Sequence, residues 1–179
     1  MLQNYNKYKV LKIFFDDPRP EGIGFQLREI SRTINLAPKS VSLYLTELER
    51  EGFIIKRKHR IHGFPVYLAN RDDENFKFYK KLDTIINIKE SGLLKYLSEN
   101  CMPDVIILFG SAARGEDLKG SDLDLFLLCK ERKLDLKDFE MVIKRKINIF
   151  FTEEFSKLSA ELKNNILSGI ILKGYLEVF

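Results

Sequence analysis

The stretch Gly110-Ser111-Ala112-Ala113-Arg114-Gly115 is the most informative part of the chain, and it directly follows an apolar run at residues 105–109. An apolar run that ends in glycine predicts a buried strand whose end lies close to another group. A short polar loop then leads to Ser121-Asp122-Leu123-Asp124, and a second apolar run continues through residues 125–128. This order predicts a strand, a glycine turn, a short helix and a second strand.

Asp122 and Asp124 stand two residues apart at the start of the second predicted strand. Since strand side chains alternate between two faces, both carboxylates are expected to point the same way. Paired carboxylates repel each other unless a cation neutralises them, and oxygen ligands suit Mg²⁺. The alternative, a turn glycine beside a solvated strand start, leaves unexplained why aspartate, a poor strand residue, occurs twice. A glycine-serine turn for phosphate and a carboxylate pair for Mg²⁺ therefore predict a site for a nucleoside triphosphate.

These motifs resemble the signature of the DNA polymerase β-like nucleotidyltransferases, and most closely that of their minimal prokaryotic branch. The resemblance is carried by residues 108–115 and 121–125 and covers the chain from about Leu93 to its C-terminus. It implies an α/β nucleotidyltransferase fold with a small mixed sheet, and Mg²⁺ as the cofactor. The implied nucleotide-binding residues are Gly110, Ser111 and Arg114, and the implied catalytic and metal-binding residues are Asp122 and Asp124. For Arg114, a plain surface arginine is the alternative.

Asn148 occupies a position where the resembled family has a third acidic residue, on a later strand predicted at residues 147–151. That acid completes the metal site and accepts the proton of the attacking hydroxyl; a general base contributes roughly 10² to 10⁴-fold in rate. Asparagine offers a carbonyl oxygen but carries no charge and takes no proton at neutral pH. The candidate substitutes are Glu140, Glu153 and Glu154, although none lies mid-strand.

Two functional hypotheses follow from Asn148. One is an enzyme that transfers a nucleotidyl group to a hydroxyl acceptor. The other is a catalytically degenerate, DNA-binding transcriptional regulator that uses the domain to sense a nucleotide or to assemble. The intact glycine-serine and aspartate motifs favour the first hypothesis, and Asn148 favours the second.

The N-terminal part has the pattern of three helices followed by a β-hairpin. The predicted elements are helices at residues 8–15, 27–34 and 38–52, a short strand at 24–25, and strands at 53–55 and 65–68 joined by a tip at 56–64. This order resembles the winged helix-turn-helix domain, through Ile30, Ile34, Leu36, Val41, Ser42, Leu45, Leu48 and Gly52-Phe53-Ile54. In that family the third helix enters the major groove of DNA, and the wing lies on phosphates or in the minor groove.

The excess positive charge of the chain lies in this N-terminal part. Residues 1–70 hold twelve Lys or Arg against seven Asp or Glu, whereas residues 71–179 hold 18 against 19. Such asymmetry indicates a polyanionic partner, and double-stranded DNA is the nucleic acid that the resemblance implies. The expected nucleic-acid contacts are Lys39, Ser40 and Ser42 on the third helix, and Lys56, Lys58 and Arg60 on the wing. A solubilising edge hairpin is the alternative for the wing, because lysines also protect sheet edges.

We expect an α+β protein with a winged helix-turn-helix domain over residues 1–70, a helical linker over 71–91 and a nucleotidyltransferase-like domain over 92–179. A helix in the linker carries an apolar face of Phe76, Tyr79, Leu82 and Ile86, which packs within the chain or forms a homodimer interface. No apolar run approaches the ~20 residues of a membrane span, and the N-terminus lacks a signal-peptide pattern. We therefore expect a cytoplasmic protein without a membrane partner, in which Cys101 and Cys129 are reduced, buried thiols rather than a disulfide.

Overall fold

The computed structural model describes residues 5–20 and 22–177. The chain divides into two compact units, Met1–Lys80 and Lys81–Phe179. The division falls inside the segment 71–91 that the sequence predicts as a linker, while the exact domain bounds stay a prediction. The outermost predicted positions, residues 1–4 and 178–179, lie outside the described residues. No helix in the described part of the chain combines the length and hydropathy that a bilayer span requires.

The first unit consists of helices followed by an antiparallel hairpin. Its elements are α1 (Asn6–Asp16), α2 (Leu27–Ile34), α3 (Pro38–Arg50), β1 (Ile54–Lys58) and β2 (Pro65–Ala69). Pro38 occupies the first turn of α3, where a fixed φ suits the helix and no backbone donor is needed. In the hairpin, Ile54 pairs with Ala69 and Lys58 with Pro65. The element order confirms the helices and hairpin expected from the sequence.

Two details of the first unit differ from expectation. The predicted strand at residues 24–25 is only an isolated bridge between Phe25 and Tyr67, because Gln26 already caps α2 and leaves no room for a ladder. The predicted tip is shorter than expected, because β1 continues through Lys58. Phe14 packs edge to face against Phe25, with ring centroids 5.4 Å apart, in the core that supports α3 and the hairpin.

Helix α4 (Glu74–Glu90) spans most of the predicted linker, and its expected apolar face is only partly correct. Phe76 is fully buried in the core of the first unit, but the side chains of Tyr79 and Leu82 are 47% and 38% exposed. Ile88, further along the helix, belongs to the core of the second unit. Because the two ends of α4 serve different cores, no single apolar stripe runs along it. The buried positions between them are instead polar: Lys80, Asp83 and Thr84.

The described part of the second unit contains a four-stranded mixed sheet flanked by helices. Its elements are α5 (Leu93–Cys101), β3 (Val105–Phe109), α6 (Gly110–Arg114), β4 (Leu123–Leu128), α7 (Lys137–Ile143), β5 (Ile147–Thr152), α8 (Ala160–Leu167) and β6 (Ile170–Gly174). The strand order is β5-β4-β3-β6. The pair β4–β5 is parallel, and the other two pairs are antiparallel. This confirms the small mixed sheet and fits the expected α/β nucleotidyltransferase fold.

The sheet brings the glycine turn and the aspartates to one place. In the β3–β4 pair, Phe109 lies opposite Asp124, so that Gly110 follows directly beside the aspartate. The strands are held there by apolar side chains, and Leu108, Leu123 and Leu125 are fully buried. The helix predicted at residues 153–167 is broken into a 3₁₀ turn, Phe155–Lys157, and α8. The break occurs because Ser159 adopts an extended conformation and its side chain accepts a hydrogen bond from Leu162 N–H as the N-cap of α8.

Cys101 and Cys129 are free, as the sequence predicts; Cys101 is buried and Cys129 is half-buried. Burial raises the pKa of both thiols, and that of Cys129 reaches about 11, to which the neighbouring Cys101 also contributes. The guanidinium of Arg132 acts in the opposite direction on both groups. Both side chains are therefore neutral thiols at neutral pH.

Candidate nucleotide site and candidate nucleic-acid interface

The carboxylates of Asp122 and Asp124 both accept a hydrogen bond from the side-chain amide nitrogen of Asn148. Asn148 Nδ2 donates a hydrogen bond to Asp122 Oδ2 at 3.1 Å and another to Asp124 Oδ1 at 3.2 Å. The alternation of side chains at the start of β4 makes this possible, because residues two apart share a face. Both aspartates are half-buried, and Asn148 is exposed.

Asn148 reaches the aspartates because of the register between β4 and β5. In this parallel pair, Asp124 lies directly beside Asn148. The sequence-predicted position of the third acid is therefore in the site, and it carries an amide. Hydrogen bonds from this amide to the two carboxylates partly offset their mutual repulsion.

None of the substitute acids joins this group among the described residues. Glu140 Oε1 accepts a hydrogen bond from Ile147 N–H at 2.9 Å. Glu153 and Glu154 follow the end of β5, and Glu154 Oε1 pairs with Lys157 Nζ at 2.6 Å. Within residues 5–20 and 22–177, no group of three or more His, Cys, Asp or Glu side chains forms a metal cluster. The site thus offers two carboxylates and one amide.

Gly110 lies directly against the Asp124 carboxylate. Its φ of +73° is in the left-handed region that favours glycine. A Cβ atom at this position would lie 2.7 Å from Asp124 Oδ2, too close for a non-bonded contact. Glycine is therefore required here both by the backbone conformation and by the proximity of Asp124, as the sequence predicts for a strand end that approaches another group.

Ser111 and Arg114 lie in α6, which follows β3 without a loop. Ser111 is half-buried, and its carbonyl oxygen accepts a hydrogen bond from Glu116 N–H at 3.0 Å. Arg114 is exposed, and its Nε lies 2.7 Å from Glu116 Oε2. This ion pair matches the surface-arginine alternative, while the roles of Ser111 and Arg114 toward a nucleotide stay predictions.

Arg145 supports the site and was not identified from the sequence. Its Nε donates to the Ser121 carbonyl oxygen at 3.0 Å, and a terminal nitrogen lies 3.2 Å from Asp117 Oδ2. Both charged side chains are largely buried, at 15% and 6% exposure. Ser121 Oγ in turn accepts a hydrogen bond from Leu118 N–H at 2.9 Å. Arg145 thereby holds the loop that leads into Asp122, but an arginine between two lysines gives no sequence signal of such a role.

An open groove of about 700 Å³ begins at Asp122. It is lined by Gly120, Asp122, Lys137, Glu140, Met141, Lys144, Arg145 and Lys146. The lysines of this lining are exposed, and within the described part of the chain none of them forms a salt bridge. A ligand lying here would meet positive charge beside the aspartate pair.

The donor set suits Mg²⁺. Two carboxylate oxygens that reach the same amide nitrogen are placed to share a small cation, and Mg²⁺ is usually bound by one or two carboxylates, substrate phosphates and water. Asp122 and Asp124 are the residues that would hold it; Asn148 turns its Nδ2 donor toward both carboxylates, so its amide would have to rotate before the carbonyl oxygen could act as a neutral third ligand.

The expected nucleic-acid contacts lie on α3 and the hairpin of the first unit. Lys39 and Ser42 are exposed and Ser40 is half-buried, all near the start of α3. Leu43, on the same helix, is 58% exposed. On the hairpin, the exposed cationic residues are Lys56, Arg57, Lys58 and Arg60. Lys56 and Lys58 are two residues apart in β1 and therefore share one face.

Comparison with known proteins supports the assignment of the second unit. Residues 91–175 match the family model described as Polymerase beta, Nucleotidyltransferase. The match covers just under half of the chain and includes the glycine turn, both aspartates and Asn148. It supports a nucleotidyltransferase domain of that superfamily in the C-terminal half. A search of the curated proteins found no match.

Proposed function

We propose that the second unit binds a Mg²⁺–nucleoside triphosphate at Gly110, Ser111, Asp122 and Asp124, and transfers a nucleotidyl group slowly to a hydroxyl acceptor. The observation that carries the proposal is the convergence of Asp122 and Asp124 beside Gly110, where a side chain would collide with Asp124. Such an arrangement places two carboxylates able to bind a metal directly beside the glycine-serine turn.

Each residue has a distinct part in this proposal. Gly110 lets the phosphates approach the backbone, and the Ser111 hydroxyl donates a hydrogen bond to a phosphate oxygen. Asp122 and Asp124 hold the cation, which would neutralise the negative charge that develops as pyrophosphate leaves. Arg114 adds positive charge near the phosphates when its guanidinium leaves the ion pair with Glu116 and contacts the nucleotide instead. The groove beside Asp122 is where we place the acceptor.

Asn148 determines how fast we expect nucleotidyl transfer to be. Without a carboxylate at this position, no group in the described site takes the proton of the acceptor hydroxyl, so that step proceeds without the roughly 10² to 10⁴-fold help of a general base. The same residue favours a second function: a DNA-binding regulator whose nucleotidyltransferase domain senses a nucleotide or mediates assembly without turning it over.

Titration calorimetry with Mg²⁺ and each nucleoside triphosphate tests the site. We expect saturable binding by the wild type, and loss of Mg²⁺-dependent binding in the double variant Asp122→Asn/Asp124→Asn. The variant should keep its fold and its melting temperature, or gain stability, because a repulsive pair is removed. Equal affinities of wild type and variant, or no binding by the wild type, contradict the proposal. Pyrophosphate release from labelled nucleotide then separates the enzyme from the regulator.

We further propose that the first unit is a winged helix-turn-helix domain that binds double-stranded DNA. The order of its helices and hairpin and the exposed cations of β1 support this function. A homodimer is part of the same proposal, supported by the exposed aromatic side chains of Phe78 and Tyr79 on α4 in the first unit. The cytoplasmic location expected from the sequence stays a prediction.

A further inference from the structure

The tip of the hairpin, residues 59–64, is closed by its own hydrogen bonds. His59 N–H donates to the Phe64 carbonyl at 2.8 Å, and Gly63 N–H donates to the His59 carbonyl at 3.0 Å. His59 Nδ1 accepts from the backbone N–H groups of both Ile61 and His62, at 3.3 Å each. These bonds satisfy four backbone donors of the tip locally, which favours this conformation of the turn.

Aromatic rings brace the same tip from within. The rings of His59 and His62 stack with centroids 5.1 Å apart, and the ring of His62 also stacks on that of Phe64 at 5.7 Å. His59 and Phe64 lie closer still, at 4.6 Å. Ile61 takes no part in these ring contacts.

Ile61 projects from this braced turn. Its side chain is 80% exposed, the largest exposed fraction among the large hydrophobic residues of the described chain. Arg60 and His62 on either side are exposed, and Lys58 ends the preceding strand. A single exposed apolar side chain is ordinary. The combination of an apolar tip, a preorganised turn and flanking cations is what proteins that unstack bases from the minor groove present to DNA.

We propose that Ile61 is a wedge that enters the minor groove of duplex DNA and inserts between two base pairs. The inference rests on the proposed DNA contact of the hairpin. Lys58 and Arg60 neutralise the phosphates on either side, while the Ile61 side chain leaves water and contacts base faces. Because pyrimidine–purine steps unstack most readily, the wedge selects for a TA step and bends the duplex without reading base edges.

The test uses the full chain and a duplex of about 20 base pairs with one central TA step, in which 2-aminopurine replaces the adenine of that step. Unstacking raises 2-aminopurine fluorescence. We expect wild-type protein to raise the fluorescence, and Ile61→Ala to lose the rise and bind roughly tenfold more weakly. The salt dependence of binding should stay as in the wild type, because Ile61→Ala removes no phosphate contact. Ile171→Ala, which truncates an exposed isoleucine of β6, is the matched control and should behave as wild type.

The outcomes separate the wedge from the DNA contact on which it rests. Binding of the duplex without a fluorescence rise, or a rise that survives Ile61→Ala, overturns the wedge and leaves the DNA contact intact. Failure of the wild type to bind any duplex at about 50 mM salt overturns both. A third result would also overturn the wedge: the protein binds a single-stranded oligonucleotide more tightly than the duplex, and Ile61→Ala weakens binding to both by the same factor. That result indicates that bases stack on the tip instead.

Discussion

The Nδ2 atom of Asn148 lies 3.2 Å from Oδ1 of Asp124, across the parallel pair of β4 and β5. The Asn148 amide thus occupies the position where the resembled family has a third metal-binding carboxylate. It donates hydrogen bonds to Asp122 and Asp124, whereas a carboxylate at this position would repel them. Asn148 therefore stabilises the aspartate pair through hydrogen bonds, but it cannot accept a proton as a carboxylate would. A change of Asn148 to an acid is therefore expected to raise the transfer activity and to lower the stability of the metal-free protein.

Replacing Asn148 by aspartate should raise nucleotidyl transfer by roughly 10² to 10⁴-fold, because a general base then stands beside the metal-binding pair. The metal-free protein should lose about 1–2 kcal/mol of unfolding free energy, because three carboxylates then face one another. Pyrophosphate release and urea unfolding with and without Mg²⁺ measure the two effects. Asn148→Ala is the control, since it removes the amide donor without supplying a base. Equal activity in Asn148→Asp and Asn148→Ala would show that this position does not limit transfer.

Replacing Gly110 by alanine should displace the Asp124 carboxylate as well as strain the backbone. The left-handed conformation alone costs about 1–2 kcal/mol of stability for a residue with a Cβ atom. Gly92→Ala is a matched control, because Gly92 has a φ of +80° but its Cβ would meet nothing within 4 Å. We expect similar destabilisation in both variants by thermal unfolding. Only Gly110→Ala should weaken Mg²⁺–nucleotide binding, by roughly tenfold or more; an equal loss in Gly92→Ala would refute the contact argument.

Replacing Arg145 by glutamine should destabilise the second unit by about 2–3 kcal/mol, because the largely buried ion pair with Asp117 and the hydrogen bond to the Ser121 carbonyl are lost. The companion change Asp117→Asn should recover much of this loss, since it removes the buried charge. Arg114→Gln breaks an exposed pair with Glu116 and should cost no more than about 1 kcal/mol. Denaturant unfolding of these variants provides the measurement. A loss in Arg145→Gln as small as that in Arg114→Gln would mean that Arg145 does not hold the loop.

Replacing Lys56, Lys58 and Arg60 together by alanine should weaken DNA binding whatever the sequence. The slope of log affinity against log salt should fall in magnitude by about 2 to 3, because fewer counterions are released. Mobility-shift titrations at several salt concentrations measure the slope. The control variant replaces Lys130, Lys133 and Lys173, exposed lysines of the second unit, and should leave the slope unchanged. Identical slopes in the two variants would assign the DNA contact elsewhere.

Local patterns were sufficient to predict the elements that form the candidate site. The spacing of Gly110, Asp122 and Asp124 depends on strand periodicity and on turn chemistry, which act over a few residues. The position of Asn148 was anticipated from the resemblance to the nucleotidyltransferases, which have a third acid on a later strand. The helix and hairpin pattern of the first unit followed from the same short-range rules.

Tertiary structure alone decided which distant groups meet. The register of β4 and β5 turned Asn148 into a hydrogen-bond donor for both aspartates, and the fold buried Arg145 with Asp117 although both look like surface charges in the sequence. Helix α4 shows the same limit, because Phe76 and Ile88 belong to two cores and the apolar side chains of Tyr79 and Leu82 between them stay partly exposed. Periodicity reports only which side chains share a face. What covers that face depends on packing between segments far apart in the chain, which no local pattern encodes.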